Sequence, residues 1–190
     1  MNIFILLFND FRKLDVFGEI PEFTLHYCSL TGGIIHSSHQ VPVMTTMLPS
    51  VLPDSSVLFI PWGMGTRLLV NDKVFIRLLT QTIPQASYCL TVCTGSALIA
   101  KTGLLDGKKA TSNKKAWSWV TSINSEVDWQ HCARWCVEDG LYTSSGVSAG
   151  IDMALGFVAD LYGKERAILI ANLMEYVWND DYDHDPFCKS

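Results

Sequence analysis

The chain has 190 residues, 48% of them hydrophobic, enough for a sizeable core and better suited to one domain than two. A formal net charge of −5 with 17% charged residues and no Lys/Arg cluster leaves no electrostatic footprint for nucleic acid or an anionic membrane. Apolar runs fall short of the roughly 20 residues of a membrane span, and the opening residues lack the layout of a cleaved leader, so a soluble cytoplasmic protein acting on small neutral molecules is expected.

Residues 2–8 (NIFILLF) and 57–60 (VLFI) are continuous apolar runs, the pattern of strands buried on both faces of a parallel sheet. Between them, 23–30 reads as a further strand, with short edge pieces at 34–37 and 41–44. A period near 3.6 predicts a helix over 68–83, then a central strand at 86–92 and helices at 95–101 and 114–123. Residues 133–137 and 141–145, around Glu138-Asp139-Gly140, predict an antiparallel hairpin added to the sheet. Helices at 149–162 and 165–178 follow. This alternation argues for a doubly wound α/β sandwich, whose sites form at the carboxyl ends of the strands. One domain over 1–187 with a tail at 188–190 is expected.

Chemistry points first to Cys93. An apolar strand pattern ends on it and Gly95 opens a helix pattern, so the free N–H groups of the helix start would favour a thiolate, in the manner of a nucleophile elbow. The plain alternative is a buried space-filling cysteine. Asp15 follows the first strand after a short polar loop, placing a carboxyl on the same side of the sheet; capping of the next helix explains it equally well. The turn Pro61-Trp62-Gly63-Met64-Gly65 offers backbone N–H groups, and its glycines permit close approach of a ligand, although a plain strand-to-helix turn has the same composition. Ser145, within Ser144-Ser145-Gly146-Val147-Ser148, can lend a donor to the same crevice or simply cap a helix.

The six cysteines (Cys28, Cys89, Cys93, Cys132, Cys136 and Cys188) lack the CxxC or histidine spacing of a zinc site, so no metal and no disulfide is expected. His26, His36, His39, His131 and His184 all lie away from Cys93 in sequence.

Taken together, Leu14-Asp15-Val16-Phe17-Gly18, the 61–65 turn, Thr91-Val92-Cys93-Thr94-Gly95, Leu104-Leu105-Asp106-Gly107-Lys108 and 143–152 (TSSGVSAGID) closely resemble the ThiJ/PfpI superfamily. Glu175-Tyr176 and Asp185-Pro186-Phe187 look like that family's usual end. Cys followed by Thr-Gly, with Asp as the partner acid, is similar to its isonitrile hydratase branch. The resemblance implies a three-layer α/β/α flavodoxin-like sandwich with a mainly parallel sheet and a small hairpin addition. It further implies Cys93 as nucleophile, Asp15 as the acid beside it, Thr94 as a neighbour needed in the site and Gly63 as an amide donor; the turn and the serine segment themselves put Gly65 and Ser145 on the substrate side. Neither metal nor organic cofactor is implied, and the expected assembly is a homodimer. The implied reaction is hydration of a small isonitrile to an N-substituted formamide; the other branches suggest a redox-responsive protein-quality-control role, or a glyoxalase/deglycase-like activity on small aldehydes.

Two departures from the family pattern stand out. Residues 10–22 barely supply the dozen residues that a helical crossover between parallel strands needs. Trp62 stands where the family usually carries Gly; were φ positive there, an indole-bearing residue would cost on the order of 1 kcal/mol, and Trp62→Gly would relieve it. Asn113 occupies the place where peptidase-like and glyoxalase-like branches carry a histidine, and an amide cannot act as a general base.

Overall fold

The computed structural model describes residues 1–11 and 23–188. Asp15 and the short crossover therefore lie outside the described residues.

Eight strands form one sheet: β1 (Asn2–Leu6), β2 (Thr24–Ser29), β3 (Gly33–His36), β4 (Pro42–Met47), β5 (Ser56–Ile60), β6 (Tyr88–Val92), β9 (Trp135–Glu138) and β10 (Leu141–Ser144). Their order is β3-β4-β2-β1-β5-β6-β10-β9. Every interior pairing, from β4–β2 to β6–β10, is parallel, and only the two edges, β3–β4 and β9–β10, are antiparallel. The apolar runs account for the centre: all five residues of β5 are buried, and Ile3, Leu6, Leu58, Ile60 and Leu90 are fully enclosed. Each such side chain is worth about 1.5–3 kcal/mol relative to exposure. The β9–β10 hairpin stands where Glu138-Asp139-Gly140 predicts it, with Asp139 and Gly140 both at positive φ.

The helices are α1 (Thr66–Leu69), α2 (Lys73–Thr82), α3 (Gly95–Thr102), α4 (Trp117–Thr121), α5 (Val147–Tyr162) and α6 (Lys164–Leu173). They flank the sheet, α2 packing on α3 and α5 on α6. Among the described residues, no helix is long and apolar enough to cross a membrane.

Three expectations need correction. The helix predicted over 68–83 is two helices, because the Asp72 carboxylate accepts from the Val74 and Phe75 amides (2.8 and 3.1 Å) and so starts α2 afresh. The helix predicted to 178 stops at Leu173, and Glu175 takes a left-handed φ of 52°. Nor are all cysteines thiols: Cys132 and Cys188 form a disulfide across 56 residues, with their Cα atoms 4.9 Å apart. Cys188 is thereby tied to Cys132. A two-stranded element, β7 (Lys109–Ala110) with β8 (Asp128–Trp129), has no signature in the sequence because two residues carry no period.

Candidate active site

Cys93 follows β6 directly and precedes α3, as its sequence pattern predicts. Its φ is 56°, a left-handed conformation that costs a non-glycine residue about 1–2 kcal/mol and persists only when surroundings over-determine it. Those surroundings are specific. The Cys93 amide donates to the Ser144 carbonyl (3.0 Å), while the Cys93 carbonyl accepts from the Ser112 hydroxyl (2.8 Å) and the Ser96 hydroxyl (3.0 Å). Ser112 is fully buried and comes from the segment after β7, so a residue absent from the sequence-derived site holds the elbow in place. The Cys93 residue is only 3% exposed.

Close backbone approaches bring three strand ends together here. A Cβ on Gly95 would lie 2.8 Å from the Ile60 carbonyl oxygen, one on Gly63 2.0 Å from that of Asp10, and one on Gly65 2.2 Å from that of Asn9. Phe11 forms an isolated bridge to Gly63, so the chain leaving β1 crosses the β5–α1 turn just before the segment bearing Asp15. The space beside Gly63 and Gly65 is thus filled by the protein's own backbone, which explains both glycines without a ligand. The Gly63 carbonyl is taken by the Thr66 hydroxyl at 2.8 Å. Trp62 is half-buried against the core and is absent from the positive-φ residues, so the strain expected there does not exist and Trp62→Gly would relieve nothing.

Thr94 starts α3, and its buried hydroxyl oxygen has no hydrogen-bond partner among the described residues. Leaving such a hydroxyl unsatisfied costs about 1–3 kcal/mol, so it can serve as a donor to a ligand bound beside Cys93. Ser145 is buried and its amide donates to the Arg134 carbonyl at 2.9 Å. It lines a cavity of about 790 Å³ that also touches Asn113, Lys114, Ile151 and Phe187. Asn113 is occupied as a cap, its side-chain oxygen accepting from the Lys115 and Ala116 amides (3.0 and 3.1 Å).

The same cavity carries an electrostatic cluster that no sequence motif announces. Arg134 forks onto the fully buried Asp152 carboxylate, which also accepts from the Tyr176 hydroxyl and the Asn179 amide, both at 3.0 Å. Asp185 sits 3.9 Å from both Arg134 and Lys114. Burial lowers the Lys114 amine to about 8, its attraction to Asp185 opposing the shift. A lysine lowered in the folded state loses stability as pH falls toward that value and gains it above. Between about pH 8 and 9 the wild type should therefore gain about 1 kcal/mol relative to Lys114→Met in thermal or urea unfolding. Parallel pH curves for the two proteins would contradict the assignment. Burial raises the thiols of Cys28, Cys89 and Cys136, Cys136 to about 12, so none of these is poised as a nucleophile.

Comparison with known proteins agrees with this fold. The model of the DJ-1/PfpI family matches residues 1–160. The isonitrile hydratase of Pseudomonas putida is 27% identical over 189 residues, covering 96% of this chain and 82% of that protein. A ThiJ/PfpI family protein from Pseudomonas syringae superposes with a TM-score of 0.78 at 25% identity, over 98% of this chain and 76% of that one. Drosophila melanogaster DJ-1beta shares the fold, with a TM-score of 0.78 at 20% identity over 93% of this chain and 98% of its own.

Proposed function

This chain belongs to the DJ-1/PfpI family, and on that premise we propose that it hydrates small isonitriles to N-substituted formamides, with Cys93 as the nucleophile. The observation that carries this reading is a cysteine in a left-handed turn at a helix start that is nevertheless 3% exposed. A sulfur so enclosed admits a slender electrophile. The terminal carbon of R–N≡C bears no substituent and lies on a linear axis, with R beyond the nitrogen, whereas an aldehyde or peptide carbon arrives with its substituents around it.

In this reading the Cys93 sulfur attacks the terminal carbon, which takes a proton through the Asp15 carboxyl, giving the thioimidate R–N=CH–S–Cys93. Water adds to the same carbon, the C–S bond breaks, and R–NH–CHO leaves with the thiol restored. One isonitrile and one water give one formamide with no net redox change. The Thr94 hydroxyl donates to the nitrogen as its lone pair forms, the Gly63 amide is a second donor there, and Ser145 bounds the substrate side, while Gly65 lets the Asn9 carbonyl pack close beside the turn. A homodimer is the assembly this reading expects.

The test is the formyl proton of the product by NMR after incubation with an alkyl isonitrile. Growth of that signal with wild type and its loss in Asp15→Asn support the reading; no signal from the wild type overturns it. The same helix start favours a second reading, in which peroxide oxidises Cys93 to a sulfinate held by neighbouring donors, and that reading predicts no formamide.

A further inference from the structure

Away from Cys93, the ligating atoms of His131, Cys132 and Cys188 lie within 4.8 Å of one another. We propose that this cluster is a redox-gated metal site. In the dithiol state it binds a divalent cation of the zinc class through two thiolates and one imidazole, and the Cys132–Cys188 disulfide is its metal-free, oxidised state. Two sulfurs and a ring nitrogen are three of the four ligands that zinc takes in tetrahedral sites, and soft thiolates select against magnesium and calcium.

The decisive point is that the sulfurs are neighbours for reasons other than the bond between them. The Asp185 amide donates to the Cys132 carbonyl (2.7 Å), and the Cys188 amide donates to the Asp185 carbonyl (2.9 Å). The Phe187 amide closes onto the Asp185 side chain at 3.0 Å. Upstream, the Arg134 amide donates to the Tyr182 carbonyl at 2.7 Å, and the Asp185 carboxylate is flanked by Lys114 and Arg134. Cutting the disulfide therefore leaves two thiols facing each other. The His131 Nδ1 already stands 3.4 Å from the Cys188 sulfur, and the ring is braced edge-on against Trp117 at 4.7 Å between centroids. His131 and Cys188 are half-buried and Cys132 is exposed, so the cation has an entry path and a fourth position open to water.

The chemistry balances. A phosphine reduces the disulfide, taking an oxygen from water to become its oxide while two thiols form. Binding of M²⁺ then displaces two protons from those thiols. Reoxidation by a peroxide removes two electrons, forms the S–S bond and expels the cation.

The experiment uses the full chain, reduced with phosphine and exchanged into oxygen-free buffer, titrated with Co²⁺ alone and then with Zn²⁺. The expected result is a thiolate-to-cobalt charge-transfer absorption that saturates at one equivalent, is bleached by Zn²⁺ and is missing from the oxidised protein. Cys188→Ser and Cys132→Ser each weaken binding by about 100-fold, and His131→Ala by about 10-fold, with unchanged far-ultraviolet circular dichroism. No charge-transfer band in the reduced wild type, or an undiminished band in Cys188→Ser, overturns the proposal.

Discussion

Cys93→Ala is expected to abolish formamide production while leaving a folded protein. The proposed reaction runs through a covalent sulfur–carbon bond, and a hydroxyl such as that of Thr94 is a far weaker nucleophile than a thiolate, while burial raises the thiols of Cys28, Cys89 and Cys136. The expected loss is at least about 1,000-fold in kcat/KM, or about 4 kcal/mol of transition-state stabilisation. Stability should move the other way with backbone freedom. At a φ of 56°, glycine is unstrained and alanine is not, so Cys93→Gly should be more stable than Cys93→Ala by about 1 kcal/mol, the reverse of their order in a helix interior. Urea unfolding of the pair checks this. Equal midpoints would mean that the left-handed turn carries no strain.

Asp152→Ala is the substitution with the largest expected cost in stability, about 3–5 kcal/mol, and a melting temperature lower by on the order of 10 °C. The Asp152 carboxylate takes both Arg134 bonds, the Tyr176 hydroxyl and the Asn179 amide, and is completely enclosed. Its removal leaves a buried guanidinium facing the more distant Asp185 carboxylate and the Ser148 hydroxyl at 3.4 Å, and frees the segment after α6 that the carboxylate holds down. Asp152→Asn should fall between, keeping an acceptor for that segment while losing the charge. A loss below 1 kcal/mol for the alanine variant would show that the ion pair relaxes into water. The cooperative loss should also expose Cys188, seen as faster reduction of the disulfide.

The core and the elbow are legible in the sequence because their signals are local. Four apolar residues in a row in β5, Val57–Ile60, fit a strand covered on both faces, and Cys93 sits at the end of such a run, with small Gly95 next to the β5 carbonyls. What the sequence hides is non-local. Ser112 is one hydroxyl in Thr111-Ser112-Asn113, and only the fold brings it to the Cys93 carbonyl. Arg134, Asp152 and Asp185 have no shared period, so their meeting follows from how the hairpin, α5 and the final segment pack. The Cys132–Cys188 pair spans 56 residues, beyond any spacing rule for metal ligands or disulfides. Trp62 misleads in the opposite direction, because a family glycine suggests positive φ where this chain has an ordinary backbone.

The proposed bond between the Cys93 sulfur and an isonitrile carbon should be visible in mass spectrometry of acid-quenched protein during turnover of an alkyl isonitrile. The expected result is a peptide containing Cys93 heavier by one whole isonitrile in the wild type, and its loss in Asp15→Asn, which lacks the acid that protonates the attacked carbon. Formamide production with Cys93 unmodified at every time point, or continuing in Cys93→Ala, would contradict it.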